Sequence, residues 1–128
     1  MSQVKPFVAV VDDDDSLCRA IKRLLRSTGL ASDTFKTGDD FLDMFDSIPS
    51  YRPACIVLDI QMPGSNGLEV QRRLAGSGIP VVFITAHDET GVREQALAAG
   101  AAAYLRKPFN DDVVIKALRT AMGLARKT

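Results

Sequence analysis

The pattern that most restricts this chain is an alternation between two hydrophobic periods. Phe7-Val8-Ala9-Val10-Val11 is a continuous apolar run of strand length, and Cys55-Ile56-Val57-Leu58 and Val81-Val82-Phe83-Ile84 repeat it. Ala102-Ala103-Tyr104-Leu105 is a weaker version, and the more polar stretch Ala31 to Phe35 suits an edge strand. Strands apolar on both faces belong to parallel sheets covered by helices. Between the runs the period turns helical. Leu17, Ala20, Ile21, Leu24 and Leu25 form an i, i+3, i+4, i+7 stripe ended by Gly29. Phe41, Leu42 and Phe45 mark a second helix after Gly38, and Leu68, Val70 and Leu74 a third, stopped by Gly76 and Gly78. Val92, Ala96 and Ala99 mark a fourth ending at Gly100; Val114, Ala117, Leu118 and Ala121 mark a fifth, with Asn110 as N-cap. Strict β-α alternation with right-handed crossovers predicts an open three-layer α/β sandwich.

The 128 residues suit one domain, residues 1–128, and 46% hydrophobic content supplies a core without metal or disulfide staples. Sixteen basic residues balance sixteen acidic ones, whereas a chain built to hold a nucleic-acid backbone would be strongly basic. Direct nucleic-acid contact is therefore not expected. Cys18 and Cys55 sit inside apolar patterns, which reads as reduced, buried thiols of a cytoplasmic protein. No signal-peptide stretch opens the chain and no segment is long enough to cross a bilayer, so no membrane association is expected.

In open α/β sheets, ligands bind at the carboxyl ends of the strands. Asp12, Asp13, Asp14 and Asp15 follow the first strand and Asp59 the third, with Ile60, Gln61, Met62, Pro63 and Gly64 behind it. Thr85 follows the fourth, ahead of Ala86 and His87, and Lys107 the fifth, ahead of Pro108 and Phe109. Taken singly, each has a plain reading: a solvated, capped turn for the acid run, a turn residue for Asp59. Jointly they bring carboxylates, a hydroxyl and an ammonium to one sheet edge. Clustered carboxylates raise one another's pKa unless a cation intervenes, and Mg²⁺ takes oxygen ligands while leaving room for a phosphate oxygen. Asp59 then reads as a nucleophile of the aspartyl-phosphate kind, with Thr85 and Lys107 set to meet phosphoryl oxygens.

The segments Val10-Val11-Asp12-Asp13-Asp14, Ile56 to Gly64 with Gly67, Phe83-Ile84-Thr85-Ala86, Ala99-Gly100-Ala101 and Tyr104 to Phe109 closely resemble a two-component response-regulator receiver domain, in its wording the receivers of FixJ-like transcription regulators. The resemblance covers essentially the whole chain. It implies a flavodoxin-like (βα)5 fold with a five-stranded parallel sheet in strand order 2-1-3-4-5. It implies Asp59 as phosphoacceptor, Asp12, Asp13, Asp59 and the Gln61 backbone carbonyl as Mg²⁺ ligands, and Lys107 as the phosphate-pairing lysine, before a cis proline. Thr85 and Tyr104 become the switch pair, and Gln61 and His87 the residues that modulate dephosphorylation. Tyr104 is otherwise a core aromatic, and His87 a solvent-facing loop residue. The implied partners are a sensor histidine kinase, contacting the start of the first helix near Ser16, Leu17 and Ala20, and a second copy through the fourth-helix, fifth-strand and fifth-helix face. The implied function is phosphorelay signalling that controls an output domain or partner, without turnover of an external substrate.

Three rival readings exist. A phosphatase of the haloacid-dehalogenase type wants an acid where Gln61 stands. A nucleotide-binding module wants a glycine-rich loop where the acids stand. A receiver fold acting as a phosphorylation-independent docking module is the alternative, and the complete Asp12, Asp13, Asp59, Thr85 and Lys107 set argues against it.

Overall fold

The computed structural model describes residues 6–62, 64–86 and 91–123. Strands β1 (Phe7–Val11), β2 (Ala31–Phe35), β3 (Cys55–Leu58), β4 (Val81–Thr85) and β5 (Ala103–Arg106) interleave with helices α1 (Asp15–Ser27), α2 (Gly38–Ser47), α3 (Gly67–Arg73), α4 (Val92–Ala98) and α5 (Asp111–Ala121). All neighbouring strands are parallel, in the order β2-β1-β3-β4-β5, which is the flavodoxin-like arrangement expected.

Side chains alternate between two cores because successive strand residues point to opposite faces. Val8, Val10, Val57, Val82 and Ile84 meet Ile21 and Leu25 of α1 and Val114 and Leu118 of α5. Ala9, Val11, Ile56, Leu58 and Phe83 meet Phe41, Val70, Leu74 and Ala96 from the α2–α4 layer. Complete burial of each such aliphatic side chain contributes roughly 1.5–3 kcal/mol before entropy is counted. Cys18 and Cys55 are free and buried, as the composition suggested. No helix of the described residues is long and apolar enough to cross a membrane.

The helices start where capping side chains stand. Asp14 accepts from the N–H groups of Ser16 and Leu17 at the head of α1. Thr37 caps α2, Asn66 and Glu69 form a reciprocal capping box on α3, and Asn110 caps α5. Three boundaries differ from the sequence reading by about a residue. Thr85 closes β4 rather than following it, because its carbonyl accepts from Lys107 N–H at 2.9 Å and stays in the ladder. β5 begins at Ala103, not Ala102. Ala99 is the exposed C-cap of α4 and not a core residue. There the chain reverses through Gly100 at φ 101°, with Gly100 N–H on Leu97 and Ala101 N–H on Ala96, a left-handed turn that favours glycine.

Candidate functional site

β1 and β3 lie side by side, with Val11 opposite Leu58, so the residues that follow them emerge together. Their backbones remain pinned beyond the strands: Asp12 N–H donates to Phe35 O at 3.0 Å and Asp59 N–H to Val11 O at 3.1 Å. Lys107, at the far end of β5, reaches back over β4 to both acids. Its ammonium stands 2.9 Å from Asp12 Oδ2 and 3.6 Å from Asp59 Oδ2. Asp12 is 1% exposed and Asp59 6%, so neither carboxylate is well solvated. Asp13 is exposed, yet it offers an oxygen that lies with those of Asp12 and Asp59 within 4.8 Å of one another. The Lys107–Pro108 peptide is cis.

The electrostatics of the pocket are unbalanced. Burial raises the pKa of the Asp12 carboxyl, and the neighbouring Asp59 charge adds to the rise. The Asp14 N–H at 2.9 Å and the Lys107 ammonium oppose it without cancelling it. Burial alone would lower the pKa of Lys107, but its hydrogen bond to Asp12 and the charges of Asp12 and Asp59 outweigh that and raise it. One ammonium thus faces two buried carboxylates and a third nearby. Asp59 Oδ1 is buried with no hydrogen-bond partner among the described residues, a situation that costs free energy unless a ligand completes it. A hard divalent cation fits this donor set of three carboxylates, one of which, Asp59, has an orphaned oxygen.

The remaining expected residues fall around this pocket with different exposure. Thr85 is fully buried at the end of β4. Tyr104 lies opposite Phe83 in the β4–β5 register, 8% exposed, with ring centroids 6.1 Å apart. Gln61 is exposed in the loop after Asp59. His87 lies outside the described residues, as does Pro63.

Three supporting features were not read from the sequence. A Cβ on Gly67 would collide with the Asp59 carbonyl oxygen, so only glycine lets the first turn of α3 seat against the Asp59 backbone. Cys18 Sγ donates to Asp12 O at 3.3 Å, and burial followed by the charges of Asp12, Asp15 and Asp14 pushes this thiol up to about 11, leaving it a neutral donor. Gln71, 7% exposed, sends its side-chain amide to Ala96 O at 2.9 Å and ties α3 to α4. Gly67 stood within a recognised motif without its packing reason; nothing in the pattern around Cys18 or Gln71 distinguishes them from ordinary helix residues.

Comparison with known proteins agrees with this geometry. The family model for the response regulator receiver domain matches residues 8–119. The response regulator protein TmoT of Ectopseudomonas mendocina is 35% identical over 127 residues, covering 98% of this chain and 56% of that protein. The transcriptional regulatory protein FixJ of Azorhizobium caulinodans is 38% identical over 118 residues, covering 91% and 54%. The chain therefore spans about half the length of the curated relatives it matches. A crystal structure of a response regulator receiver protein from Burkholderia phymatum superposes with a TM-score of 0.86 at 66% identity, covering 94% of this chain and 97% of that one.

Proposed function

The chain belongs to the response regulator receiver domain family of two-component signalling, and from that premise we propose that it takes a phosphoryl group from a sensor histidine kinase onto Asp59. The observation that carries the proposal is the unequal treatment of the two Asp59 oxygens. Oδ2 faces the Lys107 ammonium at 3.6 Å, whereas Oδ1 is buried with no partner among the described residues.

In the proposed step an Asp59 carboxylate oxygen attacks phosphorus in line with the departing imidazole nitrogen. The O–P bond forms as the P–N bond breaks. The electron pair leaves on the imidazole, which takes a proton from solvent. Lys107 moves its ammonium from the Asp59 carboxylate to a phosphoryl oxygen, and the Thr85 hydroxyl donates to another. The carboxylates of Asp12, Asp13 and Asp59 and the Gln61 carbonyl would hold Mg²⁺, whose charge offsets that of the phosphoryl oxygens. Gln61 and His87 flank the attacked group and set how readily water hydrolyses it.

The signal leaves through packing. Drawing Thr85 toward the phosphoryl group frees space that Tyr104 enters, which repacks α4, β5 and α5. The reaction is one the domain performs on itself, without turnover of an external substrate, and it controls an output domain or partner from the cytoplasm. Incubation with Mg²⁺ and acetyl phosphate, followed by intact mass measurement, tests it. The protein should gain one phosphoryl group and Asp59→Asn none; an unmodified wild-type mass would instead identify a docking module.

A further inference from the structure

The loop that joins β3 to α3 carries Gln61, and its far half is held from outside by α2. Ser65 Oγ donates to Asp39 Oδ1 at 2.6 Å, a bond between residues 26 positions apart. The other oxygen of the same carboxylate lies against Gly64, where an added Cβ would stand 2.6 Å from Asp39 Oδ2. Gly64 has φ 76°, so glycine both permits the turn and leaves room for the carboxylate. One residue before Asp39, Gly38 is buried, and a Cβ there would stand 2.6 Å from Val70 Cγ2 and 3.0 Å from Ser65 O. The first turn of α2 is thus seated on the Ser65 backbone and on α3.

The neck of the loop is closed as well. Gly67 N–H donates to Ile60 O at 2.9 Å, directly after Asp59. Gln61 therefore lies between two fixed points, the neck at Ile60 and Gly67 and the tip at Gly64 and Ser65. An acid in the first turn of a helix has an ordinary use, because it favours the positive end of the helix dipole. Asp40 stands in that same turn, with its N–H bonded to Thr37 Oγ1 at 3.0 Å. Of the two acids, Asp39 is the one that reaches the loop.

We propose that Asp39 is a positioning residue for the metal pocket: by holding Gly64 and Ser65 it keeps the β3–α3 loop in the shape that presents the Gln61 carbonyl to Mg²⁺. The inference rests on the reading that this carbonyl joins the carboxylates of Asp12, Asp13 and Asp59 in holding the ion. Asp39 is not part of that carboxylate cluster and acts through Ser65. A loop released at its tip has to be ordered again when the cation binds, and that ordering weakens binding. With the tip already tied to α2, the loop meets the ion in place.

Titration of the intact ¹⁵N-labelled chain with Mg²⁺ at constant ionic strength, read from saturable amide shifts at residues 12–15 and 59–61, tests this. Asp39→Ala and Ser65→Ala should each weaken Mg²⁺ binding about fivefold, the effect of one partly exposed charge-assisted hydrogen bond. The double variant should bind no more weakly than either single one, since both remove the same contact. Asp39→Asn and Ser65→Thr keep an acceptor and a hydroxyl in place and should bind nearly as wild type does. Asp40→Asn should change binding less than about twofold, because it alters only screened surface charge. Melting of each variant without Mg²⁺ separates positioning from folding. A lowered metal-free melting temperature for Asp39→Ala with unchanged Mg²⁺ affinity would mean a structural role and overturn the proposal. Equal weakening by Asp39→Asn and Asp39→Ala would assign the effect to charge and overturn it too. No saturable Mg²⁺ shifts in wild type would refute the metal-ligand reading and the proposal with it, whereas normal wild-type binding that Asp39→Ala and Ser65→Ala leave intact would refute the positioning role alone.

Discussion

Asp13 is the residue whose two roles oppose each other most directly. Its carboxylate is exposed but shares a 4.8 Å cluster with those of Asp12 and Asp59, so in the metal-free protein it adds like charge to a pocket holding one ammonium. Asp13→Asn is therefore expected to raise the melting temperature by a few degrees without Mg²⁺ and to abolish most of the further rise that Mg²⁺ gives wild type. Differential scanning fluorimetry with and without Mg²⁺ reads both, and a lower melting temperature for the metal-free variant would refute the repulsion argument. Cys55 carries a cleaner pH prediction because it is remote from that cluster, buried at the start of β3. Burial pushes its thiol from 9.0 up to about 12. The folded chain keeps this proton while the unfolded chain gives it up, so the stability it contributes is complete below pH 9 and is lost as pH rises toward 12. Wild type should lose stability over that window in chemical denaturation series, and Cys55→Ala should flatten part of the slope. An identical slope in the variant would assign the alkaline loss to other groups, such as Tyr51, whose phenol is also raised by burial and by its bond to Asp33.

At the level of elements, α4 is the weakest-held piece of the α2–α4 layer. Ala96 is its single fully buried residue, its N-cap Gly91 offers no side-chain bond, and its carbonyl at Ala96 is gripped from outside by Gln71. Gln71→Ala should cost about 1 kcal/mol, the net worth of one buried hydrogen bond whose acceptor retains the Ala101 N–H. Hydrogen exchange should speed up in α4 more than in α1 or α5, and uniform acceleration would mean that Gln71 stabilises the whole domain instead. The same helix marks where sequence reasoning reaches its limit. The strands were legible as continuous apolar runs, and the five helices as apolar positions at helical spacing bounded by glycines or, for α5, opened by the Asn110 cap. Asp12, Asp59, Thr85 and Lys107 were legible because the sheet forces whatever follows each strand to one edge. Gln71 was not, since a polar residue on a seven-residue helix reads as solvated until the neighbouring helix is placed over it. Gly67 was visible as a motif residue, but its reason is a contact with the Asp59 carbonyl that no local pattern encodes.

For the whole molecule, a formal charge of zero conceals a division between its two helical layers. Arg19, Lys22, Arg23 and Arg26 stand on α1, while Asp39, Asp40, Asp43 and Asp46 stand on α2 across the sheet. The face formed by α4, β5 and α5 is neither. Leu97 on α4 is 40% exposed and Val113 on α5 48%, two large apolar side chains flanking a strand with exposed Arg106 at its end. A surface of mixed apolar and charged groups can pair with its own copy, because a two-fold axis sets each residue against its counterpart's neighbours. Under the proposed mechanism, phosphorylation would fix Thr85 and Tyr104, and with them the position of α4, and so strengthen such a contact. Phosphorylated protein is therefore expected to run as a dimer in sedimentation velocity and unmodified protein as a monomer, with Leu97→Asp holding the phosphorylated form monomeric while Asp59 still gains its phosphoryl group. A dimer that survives Leu97→Asp would place the interface elsewhere. A monomer in every state would refute phosphorylation-dependent pairing through this face.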